Sequence, residues 1–113
     1  MAKITHANFR KSVKPNGYRW IYERSGSNRL KQEETVILQT PPINATQRAV
    51  NDFGWQTNGT GVAVYGTMSE NPYSDNALWS KITNSTAINK TVSGIMIINN
   101  GAECDITVSC LLF

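Results

Sequence analysis

Short apolar or alternating runs, each closed by glycine, proline or asparagine, dominate this chain and confine it to an all-β fold. Tyr18-Arg19-Trp20-Ile21-Tyr22 puts three aromatic residues on one strand face. Thr35-Val36-Ile37-Leu38-Gln39 is the next run, and Pro41-Pro42 ends it, because neither proline can donate to a sheet ladder. Gly61-Val62-Ala63-Val64-Tyr65-Gly66 is a glycine-bounded β run, and residues 77–82 predict a short strand after the polar loop 69–76. Residues 92–98, the triplet Asn99-Asn100-Gly101 and residues 104–113 have the form of a hairpin, since Asn-Gly suits a two-residue turn whose central positions need φ > 0. Ile95-Met96-Ile97-Ile98 leave neither face of their strand polar, which predicts cover on both sides. Strands at this spacing predict an antiparallel β-sandwich, jelly-roll or immunoglobulin-like. One short helix is expected within it. Ala45, Ala49, Val50 and Phe53 fall at helical spacing, with Asn44 or Thr46 to cap the start and Gly54 to stop the end.

Charge divides the chain unevenly. Of the 113 residues, the first 31 hold eight Lys and Arg against one acidic residue, a net +7; the remaining 82 hold three against seven, a net −4. Residues 1–17 carry Lys3, His6, Arg10, Lys11 and Lys14 with few bulky apolar residues, and Pro15-Asn16-Gly17 then breaks local structure. They read as an extended basic arm, ordered only when something holds it, ahead of a single sandwich domain over 18–113. Forty per cent hydrophobic residues suffice for the core of one domain of this length.

Several function classes are disfavoured. No apolar run reaches membrane-spanning length, and the amino end lacks the apolar stretch of a signal peptide. The N-x-[ST] sequons at Asn44, Asn58, Asn84 and Asn89, in a chain rich in Asn, Ser and Thr, read as loop composition. The single histidine, His6, lies in the arm, so no general base is held in place, and the adjacent Glu33 and Glu34 would point to opposite strand faces. No catalytic residue is assigned. Cys104 and Cys110 flank an alternating stretch that would hold their sulfurs roughly 20 Å apart, too far for a disulfide. They read as small core hydrophobes in a protein assembled in a reducing cytoplasm, and with no further Cys or His nearby no metal is expected. Glu70, Asn71, Asp75 and Asn76 would offer oxygen ligands to a hard cation, but solvated turn residues are the simpler account. No cofactor is implied.

Two surfaces remain as binding candidates. Lys3, Phe9, Arg10, Lys11 and Lys14 form a docking arm suited to an acidic protein surface; a nucleic acid is the less favoured partner, because the acidic body would repel phosphate. Trp55, Tyr73, Asp75 and Trp79 combine aromatic and polar groups as glycan-binding sandwiches do, although Trp79 in the core with Tyr73 covering it would explain the same residues.

The run 61–67, the segment Leu78-Trp79-Ser80-Lys81-Ile82 and the closing stretch 108–113 resemble small virion proteins of tailed bacteriophages. The resemblance covers residues 61–113 and rests on the succession of a β run, a Pro/Asp/Asn loop, a Trp-bearing segment and two final strands. It implies a non-enzymatic β-sandwich in the virion, assembled in the host cytoplasm, bound to major capsid or tail subunits and acting by multivalent contact. A capsid decoration or cement subunit is the expected role, with a tail or head–tail connector component as the alternative. Self-association, or lattice binding, is expected from the strand that is apolar on both faces and the terminal Leu111-Leu112-Phe113. On this reading, a chain lacking residues 2–14 stays folded and loses attachment.

Overall fold

The computed structural model describes residues 3–14, 17–39, 49–67, 71–82, 90–91 and 94–111. They form β1 (Lys3–Asn8), β2 (Arg10–Lys14), β3 (Gly17–Arg24), β4 (Glu34–Gln39), β5 (Ala49–Thr57), β6 (Val62–Thr67), β7 (Trp79–Ile82), β8 (Lys90–Thr91), β9 (Gly94–Asn99) and β10 (Ile106–Leu111). One 3-10 turn, Gly26–Asn28, is the only helix among the described residues. The strands make two five-stranded sheets, in the orders β1-β4-β9-β6-β7 and β2-β3-β10-β5-β8. Every neighbouring pair runs antiparallel except β1 and β4, which are parallel.

Alternation builds the core. In β4, Glu34, Val36 and Leu38 are buried, while Thr35, Ile37 and Gln39 are half-buried on the other face. Val64 of β6, Ile95 and Ile97 of β9, and Ile106 and Val108 of β10 repeat that parity. Both sheets therefore feed one cluster, completed by Phe9, Leu30, Ile82 and Cys104, with Trp20, Tyr22 and Trp55 packed against it. Each fully buried Val, Leu or Ile contributes about 1.5–3 kcal/mol of burial free energy. Met96 and Ile98 are half-buried on the outer face of β9, so the cover expected there is partial.

Four expectations need correcting. The segment expected as a free arm is paired within the molecule: β1 joins one sheet and β2 the other, and Phe9, only 7% exposed, sits in the core at the crossing. The sheets are therefore not wholly antiparallel as expected, since β1 runs parallel to β4. The helix expected over 45–53 is strand from Ala49 onward, and 45–48 lie outside the described residues. Between Asn51 and Gly54 the register against β10 slips, with one more residue on β5 than on its partner. That slip breaks the period-two pattern and lets an apolar spacing of helical appearance occur in a strand.

The hairpin of residues 92–113 does not form either. β9 and β10 belong to different sheets, and 100–105 carry the chain between them. Asn99, fully buried, donates from Nδ2 to the carbonyls of Leu30, Lys31 and Ala102, and its Oδ1 accepts the Gly101 N–H. The Asn100 N–H donates to the Gly61 carbonyl. Gly61 is required here for close approach and not for a positive φ: a Cβ on it would lie 2.4 Å from the Gly101 nitrogen, whereas one on Gly101 would meet Gly61 at 3.1 Å. Cys104 precedes β10, bridges to Leu30 and is a free buried thiol. The side chain of Cys110, and residues 112–113, lie outside the described part.

Candidate functional site

Besides strand pairing, three side chains tie down the amino-terminal strands: Phe9, Tyr73 and Thr5. Phe9 fills the core between them. Tyr73, in the loop between β6 and β7, stacks on His6 at 4.5 Å and donates its hydroxyl to the Ala7 carbonyl at 3.0 Å. Thr5 donates to Glu34 Oε2 at 2.9 Å.

Glu34 is the hub of the largest polar network. Arg24, at the end of β3, grips it with two parallel bonds of 3.0 Å each, Nη1 to Oε2 and Nη2 to Oε1. Arg24 also donates from Nε to the Asn28 carbonyl, from Nη2 to the Arg29 carbonyl and from Nη1 to the Tyr22 hydroxyl. The Lys31 N–H fills Glu34 Oε1 at 3.0 Å. Burial alone would raise the Glu34 carboxyl, but the bonds from Arg24, Lys31 and Thr5 outweigh it and hold the group below its ordinary 4.5. Burial raises the Tyr22 hydroxyl, against the opposing effect of Arg24. A carboxylate whose lone pairs are occupied by four donors is no general base. The network instead joins β1 and β4 of one sheet to β3 of the other.

Sequence reading passed over Arg24 and Thr5, weighed Glu34 only as half of a carboxylate pair with Glu33, and took Asn99 only as a turn residue. Parity was the available signal: Arg24 follows Trp20 and Tyr22 on the inward face, and Glu34 precedes Val36 and Leu38 on theirs.

The docking candidates separate. Phe9 is in the core and unavailable to a partner. Lys3, Arg10, Lys11 and Lys14 lie on β1 and β2, one edge strand of each sheet, and Arg10 is exposed and makes no ion pair among the described residues. Lysine placement follows a rule throughout the chain. Five of the six lysines, Lys3, Lys11, Lys14, Lys81 and Lys90, lie on the four edge strands; Lys31 pairs with Glu103 at 2.7 Å, and no inner strand has one. Lysine on an edge strand opposes unwanted pairing with another sheet.

The glycan candidates are not brought together. Tyr73 and exposed Asp75 share the loop leading to half-buried Trp79 at one sheet's edge, whereas Trp55 packs under the other sheet. Beside Trp55 an open depression of about 570 Å³ is lined by Gln56, Asn58, Asp105 and Thr107 among others. In the loop, Asn71 Oδ1 accepts the Tyr73 N–H and Ser74 Oγ the Asn76 N–H, so these polar side chains shape turns; Glu70 lies outside the described residues. Among the described residues no cluster of His, Cys, Asp and Glu has metal-binding geometry, and no helix is long and apolar enough to cross a membrane.

No family model, no curated protein and no solved structure matches this chain.

Proposed function

We propose that the chain is a non-catalytic structural subunit of a bacteriophage virion, a capsid decoration or cement protein built as a jelly-roll sandwich. Strand order is the observation that carries this reading. With β1 and β2 set aside, the sheets run β3-β10-β5-β8 and β4-β9-β6-β7. Counting from β3, the first strand pairs with the eighth, the second with the seventh, the third with the sixth and the fourth with the fifth. That order supports a jelly-roll reading, one long hairpin rolled over a core, a plan used by viral shell domains and by lectins.

Fold alone does not choose between those uses. The shell reading is favoured over the lectin reading because Trp55 stands apart from Tyr73, Asp75 and Trp79, and Tyr73 is engaged with β1. The basic edge strands and the half-buried outer row Ile37, Met96 and Tyr65 are the surfaces offered to capsid subunits or to further copies of the chain. Repetition over a lattice multiplies such contacts into firm attachment.

Quantitative mass spectrometry of purified particles tests the reading. Hundreds of copies per particle are expected for shell decoration, whereas about six or twelve would move the chain to a tail or portal ring. Absence from the particles would overturn the proposal.

A further inference from the structure

Building on the reading of the chain as a docking subunit, we propose that the open edge of β2 receives an acidic, extended segment of a neighbouring protein as an added strand. β2 pairs with β3 along its whole length, from Arg10 opposite Ile21 to Lys14 opposite Gly17. On its other side no strand follows among the described residues. An edge of this kind offers alternate backbone N–H and C=O groups to an incoming strand.

Charge selects the partner. Arg10, Lys11 and Lys14 occupy three of the five β2 positions, and the first acidic residue of the chain is Glu23. A second copy's β2 laid against this edge would set cation against cation, which destabilises a cross-strand pair; glutamate or aspartate there stabilises it. β1 is the poorer acceptor. It carries only Lys3 and His6, Tyr73 stacks on His6, and the Ala7 carbonyl is already bonded. A single-stranded nucleic acid also needs aromatic platforms, yet Phe9 is in the core and Trp20 packs against it.

The test uses the full chain and three probes: a synthetic peptide alternating Glu and Thr, its Lys-Thr counterpart, and a short oligothymidylate. The Glu-Thr peptide is expected to bind and the other two to bind more weakly. The double variant K11E/K14E should lose about tenfold in affinity for it while keeping the parent's thermal unfolding. Independently of any variant, hydrogen exchange should show the β2 amides that face away from β3 becoming protected on adding the Glu-Thr peptide. Equal binding of both peptides, no binding, tighter binding of oligothymidylate, or protection elsewhere than β2 would each overturn the proposal. Purified chain without particles is used, so this result stands apart from the copy number that tests the virion reading.

Discussion

Glu34 and Arg24 meet where removing either partner strands a buried charge. Their side chains are 1% and 9% exposed, and losing one member of such a pair costs about 3–5 kcal/mol. Arg24→Ala should therefore take a large share of the stability of a domain this size, read as a fall in the urea midpoint. Glu34 also makes stability depend on pH, and the sign follows from its depressed pKa. The contribution is complete above the ordinary carboxyl value of 4.5 and is lost as pH falls through the lower folded value. Glu34→Gln should flatten that acid limb in urea titrations run at stepped pH; an unchanged limb would remove Glu34 from the account. Next to it, Glu33 sits at φ +64, a left-handed conformation that costs an L-residue about 1–2 kcal/mol. Glu33→Gly should hold or raise the unfolding midpoint, and Glu33→Val should lower stability by about 1 kcal/mol.

At the scale of elements, parity was legible in the sequence and partnership was not. The runs containing Val36, Val64, Ile95 and Ile106 announce their strands and their inward faces, because side chains alternate every residue. Which strand lies beside which depends on contacts far along the chain. Asn99-Asn100-Gly101 looks locally like a hairpin turn, yet buried Asn99 is held by carbonyls from residues 30 and 31, which no local rule anticipates. The slipped register in β5 hid a strand behind a helical spacing for the same reason. Basic residues in β1 and β2 looked like an extended arm because Phe9, the residue that carries the segment into the core, has no pattern of its own. The corner between β9 and β10 should be sensitive: Gly61→Ala drives a methyl into Gly101 and is expected to cost about 1–3 kcal/mol, measured by thermal unfolding. Thr5→Val should loosen β1 selectively, raising amide exchange over Lys3–Asn8 while β9 and β10 stay protected.

For the whole molecule, the uneven charge along the chain becomes, for lysine, a placement on the sheet edges. Five of the six lysines line the edges, the lone histidine stacks on Tyr73, and Asp105 and Glu103 pair with Arg29 and Lys31. The segment proposed to dock is thus part of the scaffold, and a truncation through residue 14 removes Phe9 from the core and an edge strand from each sheet. Such a truncation should destabilise the body by at least the ~3–5 kcal/mol of a lost core phenylalanine, contrary to the expectation for a detachable arm. The most direct measurement of this central claim is amide hydrogen exchange on the isolated full-length chain. In β1 and β2 the amides bonded to β4 and β3 should exchange slowly while those on the open edges exchange fast. Uniformly fast exchange from residue 3 to residue 14, at the rate of an unstructured peptide, would contradict it.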